Sequence, residues 1–160
     1  MKITVISDTH ISRKGQELPS LVLKSIENSD LLIHAGDFTS ASLLYYLEAL
    51  TRVEAVAGNN DGADLFHLGK KKIIELNGYS IGITHGEGDY SNILQRVKRT
   101  FSDDKVDIVI FGHSHQPYSV TESGVLYFNP GSPTNRRRSP KHSYGEITLG
   151  KKIGADIIYF

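Results

Sequence analysis

The chain has 160 residues, of which 39% are hydrophobic, a composition typical of one compact domain, and we predict a single domain over residues 1–160. Its 18 Lys and Arg residues balance its 18 Asp and Glu residues, so no overall positive charge favours non-specific nucleic-acid binding, although a local nucleic-acid role is not excluded. The absence of cysteine excludes disulfides, thiolate catalysis and thiolate zinc sites.

The N-terminal segment is apolar from Ile3 to Ile6, but Ser7 and Asp8 end the run. It is far shorter than a signal-peptide core or the roughly 20 apolar residues that span a bilayer. We therefore expect a cytoplasmic protein with no membrane partner.

Strands and helices alternate in the first third of the chain. Short β-branched or apolar runs at 3–6, 31–33 and 53–56 predict three strands. The spacing between them predicts two helices, one that begins near Pro19 and one capped by Thr39 or Ser40. Their predicted buried faces are Leu18, Leu21, Leu23 and Ile26 in the first helix, and Leu43, Leu44, Leu47 and Leu50 in the second. This order is typical of βαβ units with a parallel sheet.

The pattern changes after Gly58. Asn77-Gly78 predicts a tight hairpin between the runs 72–76 and 79–83. The spacing of Ile93, Leu94, Val97 and Phe101 predicts a third helix, followed by a buried strand over 106–111. A second hairpin is predicted at 122–124, and the runs 143–149 and 153–159 form a last strand pair. The sum is a mixed α/β sandwich.

Polar side chains follow five of the predicted strands. In a doubly wound sheet, ligands bind outside the carboxyl ends of the strands. The polar residues at these ends are Asp8 and His10, Asp37, Asn59 with Asn60 and Asp61, His85, and His113 with His115. Each motif taken singly also fits an ordinary loop. Together they indicate a two-metal hydrolytic site, because two cations held by carboxylate and imidazole can bind both a nucleophile and phosphoryl oxygens.

These motifs, in this order, resemble the pattern of the calcineurin-like metallophosphoesterase superfamily over nearly the whole chain. They are Asp8-Thr9-His10, Gly36-Asp37, Gly58-Asn59-Asn60-Asp61, His85 and Gly112-His113-Ser114-His115. The short length and Asn129-Pro130-Gly131-Ser132 resemble its small phosphodiesterases of the YfcE and Vps29 type. The resemblance implies an α/β fold, a four-layer α-β-β-α sandwich of two mixed sheets flanked by helices.

The resemblance also implies two divalent metal ions. It assigns the first metal to Asp8, His10 and His115, the second to Asn59, His85 and His113, and a bridging position to Asp37. Mixed oxygen and nitrogen ligands suit Mn²⁺, Fe²⁺, Ni²⁺, Co²⁺ or Zn²⁺ better than Ca²⁺, and Mn²⁺ is our first expectation.

Asn60 and Asp61 are the candidate catalytic residues. Many members of the family carry a histidine where this chain has Asn60, and an amide cannot act as a general acid, a role often worth about 10²–10⁴-fold. We therefore expect modest rates and a preference for good leaving groups. Asp61 is expected to serve as a structural acceptor. Glu87 stands where the family often has a further histidine, and it either orients His85 or is solvated.

The predicted function is a dinuclear metal-dependent phosphoesterase, and a phosphodiesterase is the preferred prediction. A metal-bridging hydroxide is expected to attack phosphorus in line. The expected substrate is a phosphate ester, and a small-molecule phosphodiester is the preferred prediction. The alternative is a Vps29-like protein-binding scaffold with weak or vestigial activity. All seven proposed ligand positions carry metal-binding residue types, which favours the enzyme. A homodimer or tetramer is permitted.

The sequence leaves the roles of several further residues open. The run Arg136-Arg137-Arg138 either contacts substrate phosphate or forms a solvated loop or an oligomer contact. Asn129 and Ser132 are expected to brace the loop that carries the two histidines. His34 is expected to be a satisfied core histidine, whereas His67 and His142 are expected at the surface.

Overall fold

The computed structural model describes residues 1–11 and 16–160, whose strands form two five-stranded sheets. The first sheet contains β1 (Lys2–Ile6), β2 (Leu31–His34), β3 (Val53–Ala55), β9 (Ser143–Leu149) and β10 (Ile153–Tyr159). Its order is β10-β9-β1-β2-β3, in which β1, β2 and β3 are parallel and β9 is antiparallel to both β1 and β10. The carboxyl ends of β1, β2 and β3 therefore meet at one edge.

The second sheet contains β4 (Lys71–Leu76), β5 (Tyr79–Thr84), β6 (Ile108–Ile110), β7 (Tyr118–Glu122) and β8 (Val125–Asn129). Its order is β4-β5-β6-β8-β7, with β5, β6 and β8 parallel and the outer strands β4 and β7 antiparallel to their neighbours. Both sheets are thus mixed, as predicted.

The main core lies between the two sheets. Alternate residues of each strand point into it, including Ile3, Val5, Leu31 and Ile33 from the first sheet and Ile81, Ile83, Ile108 and Ile110 from the second. All eight side chains are fully buried. Burying a side chain of this size contributes about 1.5–3 kcal/mol, so this shared layer holds the two sheets together.

Helices cover the outer face of each sheet. Helices α1 (Ser20–Glu27) and α2 (Ala41–Glu48) pack on the first sheet, and α3 (Ile93–Thr100) packs on the second. The predicted four-layer α-β-β-α arrangement is therefore confirmed. Within residues 1–11 and 16–160, no helix combines the length and apolarity needed to cross a bilayer.

One predicted helix face is wrong in part. Leu21 is 44% exposed, whereas Val22 is fully buried. Leu18, Val22 and Ile26 follow one another at intervals of four residues, so they form the stripe that faces the sheet, and Leu21 lies outside it. In α2 the predicted cap is confirmed, since the Ser40 hydroxyl accepts a hydrogen bond of 3.2 Å from the backbone N–H of Ser42.

Both predicted hairpins are confirmed. Asn77 and Gly78 have φ angles of 52° and 83°, the two positive values that a type I′ turn requires. Ser123 and Gly124 make the corresponding turn between β7 and β8. The buried strand predicted over 106–111 is shorter, at Ile108–Ile110.

Candidate metal centre

The predicted ligands gather where the loops after β1, β2, β5 and β6 meet. Two overlapping groups place their ligand atoms within 4.8 Å of one another, Asp8 with His10 and His115, and Asp8 with Asp37 and His85. His10 is half-buried and the other four side chains are buried. Five of the seven predicted metal ligands therefore converge, across both sheets.

Each carboxylate directs one oxygen at the histidines. Asp8 Oδ1 lies 3.2 Å from His115 Nε2 and 3.9 Å from His85 Nε2. Asp37 Oδ2 lies 3.3 Å from His85 Nε2 and 3.5 Å from His10 Nε2. Asp37 Oδ2 therefore lies between the two histidines, a position that suits a carboxylate shared by two cations.

The donor set fits divalent metal ions. Among the residues that the structure describes, Asp8 Oδ1 and His85 Nε2 are buried without a hydrogen-bond partner. Leaving such an atom unsatisfied costs about 1–3 kcal/mol each, and more for a charged group. A cation coordinated by both atoms would satisfy them, since carboxylate oxygen and imidazole nitrogen are common ligands of Mn²⁺, Fe²⁺ and Zn²⁺.

Backbone carbonyls fix the orientation of two imidazole rings. His85 Nδ1 donates to the carbonyl of Ala35 at 2.7 Å, and His115 Nδ1 donates to the carbonyl of Asn135. A ring nitrogen that donates in this way carries the proton, so Nε2 of both rings presents a lone pair to the cluster.

His113 takes the opposite tautomer and lies outside both groups. Its Nε2 donates to the carbonyl of Gly88 at 2.8 Å, which leaves Nδ1 with the free lone pair. The ring stands edge-on to His85 with 5.2 Å between centroids. The backbone N–H of His113 also donates to Asp8 Oδ2 at 2.9 Å, so this residue positions Asp8.

The segment after β3 approaches the cluster through Asn60. Its backbone N–H and its side-chain amide donate to Oδ1 and Oδ2 of Asp37, at 2.8 and 2.7 Å. Asn59, the predicted ligand, is exposed and borders a surface pocket together with Lys70 and Glu87. The structure thus brings Asn60, rather than Asn59, against the carboxylate in the cluster.

Asp61 acts as a buried acceptor. Its carboxylate accepts backbone hydrogen bonds from Gly58 at 2.7 Å, Thr39 at 2.7 Å and Asp37 at 3.0 Å. The loops after β2 and β3 are therefore held to each other by one side chain. This matches the structural role expected for Asp61.

Burial and charge set the protonation states of the cluster. Burial acts to raise the pKa of both Asp8 and Asp37, but the imidazole of His115 beside Asp8 and that of His85 beside Asp37 hold the pKa of both carboxyls below its ordinary range. Burial lowers the pKa of His10, and it acts in the same direction on His85, whose pKa is nevertheless raised by the neighbouring carboxylates of Asp37 and Asp8. The carboxylates are therefore ionised at neutral pH, as metal binding requires.

A sequence model of the calcineurin-like phosphoesterase superfamily domain matches residues 1–152. The chain belongs to this superfamily. A probable metallophosphoesterase of Methanocaldococcus jannaschii is 38% identical over 159 residues, which cover 99% of this chain and 81% of that protein. A phosphodiesterase of the same organism is 32% identical over 149 residues, covering 82% of this chain and 83% of that one. These relatives support a metal-dependent phosphoesterase activity.

The fold recurs at lower sequence identity. The structure of a single-substitution variant of Vps29 from Entamoeba histolytica matches with a TM-score of 0.78 and 20% identity, covering 100% of this chain and 99% of that one. At this level of identity the likeness concerns the architecture alone. The small calcineurin-like type expected from the motifs is thus confirmed by sequence and by fold.

The candidate metal centre is built on a strained backbone. In the described part of the chain, nine non-glycine residues have positive φ, and five of these are predicted ligands, namely Asp8, His10, Asp37, His113 and His115, at 48–67°. Such conformations cost of order 1–3 kcal/mol each and persist only where the surroundings enforce them. Sequence reasoning missed this feature, because Asp and His are enriched at positive φ but neither residue type requires it.

The predicted bracing of the histidine loop is confirmed for Asn129. Its side-chain amide donates to the carbonyl of Gly112 at 2.8 Å and to the hydroxyl of Ser114 at 3.2 Å. Ser132 instead donates to the carbonyl of Asp8 at 2.8 Å, which ties the first ligand loop to the turn after β8. Asn129 and Ser132 thus hold ligands from opposite sheets in place.

The remaining candidates lie around the centre. Glu87 is exposed and forms an ion pair with Lys70 at 3.0 Å, so it does not orient His85. His34 is fully buried and bonded to Thr9, as expected, and His67 is exposed. His142 is not simply solvent-facing, because it is half-buried and its ring lies 5.9 Å from that of Phe160.

Proposed function

We propose that this protein is a dinuclear metal-dependent phosphodiesterase that acts on small-molecule phosphodiesters. The observation that carries the proposal is the convergence of two ligand groups around the unsatisfied buried atoms Asp8 Oδ1 and His85 Nε2. In a dinuclear site, cations about 3.5–4 Å apart activate water and neutralise charge on the phosphoryl oxygens. The phosphodiesterase relative supports the diester as substrate class.

The chain itself supplies position and charge. Asp8, His10 and His115 would hold one ion, and Asp37 and His85 the other. Asn59 and His113 are proposed as the remaining direct ligands of this second ion. Asp37 is the proposed bridge, because its Oδ2 lies between His10 and His85. Two ionised carboxylates against two divalent cations leave a net positive site, which attracts an anionic ester.

At position 60 an amide, not an imidazole, contacts the Asp37 carboxylate. The Asn60 amide is already bonded to Asp37 and has no proton to transfer to a leaving oxygen. We infer that the enzyme prefers esters with good leaving groups. His10, the half-buried member of the cluster, marks the side from which a substrate can approach.

The test combines metal analysis with turnover of bis-p-nitrophenyl phosphate. The purified protein is stripped of metal and reloaded with Mn²⁺, Ni²⁺, Fe²⁺, Co²⁺ or Zn²⁺. We expect about two ions per chain and metal-dependent turnover, with Mn²⁺ the first candidate. The variant Asp37→Asn should lose metal and turnover together, whereas Asp156→Asn, on the exposed edge of β10, should behave like the parent. Parental turnover in Asp37→Asn would overturn the proposal.

Absence of both metal binding and turnover would instead favour the protein-binding scaffold. We also propose a cytoplasmic location, which cell fractionation tests. A homodimer or tetramer is proposed as well, and light scattering tests the oligomeric state.

A further inference from the structure

A cavity of about 580 Å³ lies beside the metal centre, between α3, the loop before it and the loop after β8. Its floor is apolar and aromatic, and its rim is cationic. The apolar, aromatic and cationic side chains that line it include Tyr90, Leu94, Phe111, Tyr118, Arg137 and Arg138. The volume and the mixture of an apolar floor with a few charged groups are typical of a small-molecule site.

The cavity shares a wall with the proposed ligands. The ring of Tyr90 stacks on that of His113, with 4.7 Å between centroids and 17° between planes. Ser114, which stands between His113 and His115 in the chain, also lines the cavity. A phosphoryl group held at the metal centre would therefore lie next to the cavity, with room for one of its substituents inside.

The rim carries charge of the sign that a phosphodiester requires. Arg137 donates a hydrogen bond to the hydroxyl of Tyr90, and its guanidinium carbon lies 5.7 Å from the centroid of that ring. Arg138 also lines the cavity. Guanidinium groups match the geometry of phosphate oxygens and also stack on planar rings. The two arginines thus suit an anionic ester with a flat substituent.

We propose that this cavity is the subsite for one ester substituent of the substrate, an aromatic group of about the size of a nucleoside. The inference rests on the proposed function, since it names the substrate class of the same centre. An aromatic substituent fits better than an alkyl chain, because tyrosine, phenylalanine and arginine together offer stacking partners for a planar ring. The reaction would release the alcohol or phenol opposite and leave the aromatic group as a monoester.

Two esters with the same leaving group isolate the contribution of the cavity. Hydrolysis of thymidine 5′-(p-nitrophenyl) phosphate consumes one water and gives p-nitrophenol and thymidine 5′-monophosphate, and methyl p-nitrophenyl phosphate gives p-nitrophenol and methyl phosphate. We expect kcat/KM to be at least about 10-fold higher for the thymidine ester, chiefly through KM. Equal kcat/KM for the two esters would overturn the inference and leave the phosphodiesterase proposal intact.

Variants then locate the effect. Tyr90→Leu removes the ring beside His113, and Leu94→Gln makes the floor polar at a position that α3 supplies. Both should lower the ratio of the two kcat/KM values towards one, while metal content stays at the parental level. The matched controls Tyr45→Leu and Leu21→Gln alter exposed side chains outside the cavity and should keep the ratio. A parental ratio in both cavity variants would overturn the assignment.

If neither ester is hydrolysed, the proposed function fails and the cavity is tested by binding alone. Titration calorimetry with thymidine 5′-monophosphate then decides, in the parent and in Tyr90→Leu. Binding that is lost in the variant supports the subsite, and no binding in the parent overturns it.

Discussion

Asn60 donates to both carboxylate oxygens of Asp37, from its backbone N–H at 2.8 Å and from its side-chain amide at 2.7 Å. The side-chain amide of Asn60 therefore holds the proposed bridging carboxylate in place. We expect Asn60→Ala to weaken metal binding about 10- to 100-fold, the usual effect of losing a partner that orients a ligand. Metal titration measures this, and Asn28→Ala, at the exposed end of α1, serves as control. Parental affinity in Asn60→Ala would contradict the role.

Asn60→His exchanges this hydrogen bond for a possible proton donor. We expect weaker metal binding than in the parent, because the amide contact with Asp37 is lost. At saturating metal, we expect kcat of the variant to rise most for esters with poor leaving groups, by up to about 10²-fold. The measurement compares kcat for methyl phenyl phosphate and methyl p-nitrophenyl phosphate. An unchanged ratio of the two rates would show that position 60 does not reach the leaving oxygen.

His34 should make the fold sensitive to acid. Burial lowers its pKa from 6.5 to about 3. Its Nδ1 accepts from the N–H of Gly36 at 3.2 Å, so its Nε2 donates to the hydroxyl of Thr9 at 3.1 Å. Below about pH 6.5 the unfolded chain binds a proton at this histidine that the folded chain does not bind, so the free energy of unfolding falls as pH falls from about 6.5 towards 3.

The contribution of His34 approaches about 1.4 kcal/mol per pH unit below its unfolded pKa. We expect His34→Gln to be less stable than the parent at pH 7 but to lose stability less steeply between pH 6 and pH 4. Urea denaturation across this range measures the slope. His67→Gln alters an exposed histidine and should keep the parental slope. An equally steep decline in His34→Gln would assign the acid sensitivity to other groups.

Gly112 lies too close to the first ligand loop for any side chain. A Cβ added there would lie 1.8 Å from Ser7 Oγ and 2.8 Å from Asp8 Oδ2. Ser7 also donates to Asp8 Oδ2 at 2.7 Å, so Gly112→Ala must displace the Asp8 carboxylate. We expect loss of metal binding and turnover, measured by metal analysis and hydrolysis of bis-p-nitrophenyl phosphate. Gly150→Ala, whose nearest neighbour would be 3.8 Å away, should retain both.

Hydrophobic period and turn chemistry predicted most of the architecture. The bounds of β9 and β10 and the turn at Asn77-Gly78 follow from local alternation and from a dipeptide that accepts positive φ. Local spacing predicted that Leu21 of α1 is buried, but Val22 is buried instead. Both residues are apolar, so the packing of the helix on the sheet determines which of them is covered.

The sequence predicted which polar side chains would gather at the candidate metal centre, but not the contacts among them. Strand ends predicted that Asp8, Asp37 and His85 would lie close together, since parallel strands deliver their loops to one edge, and the three side chains do converge. The contacts of Asn60 with Asp37 and of Tyr90 with His113 join residues more than 20 positions apart, and no local pattern encodes them. The exposed position of Asn59 likewise depends on how its loop closes over Asp61.

Asn129 provides a test of a residue that acts on the metal centre only through the loop it holds. Its amide donates to Gly112 and Ser114, and its Oδ1 accepts from the N–H of Gly131 at 2.9 Å. Asn129→Asp keeps the volume but replaces the donor with a carboxylate that faces the Gly112 carbonyl. We expect the free energy of unfolding to fall by about 1–3 kcal/mol or more, the cost of an unsatisfied buried group.

Metal affinity should fall as well, because the loop of His113 and His115 loses its brace. Since every proposed ligand is still present, excess metal should restore turnover in Asn129→Asp, whereas it should not restore Asp37→Asn. Asn28→Asp makes the same chemical change at an exposed helix end far from the centre and should leave metal affinity at the parental value. Failure of excess metal to rescue a folded Asn129→Asp protein would mean that Asn129 does more than hold the loop.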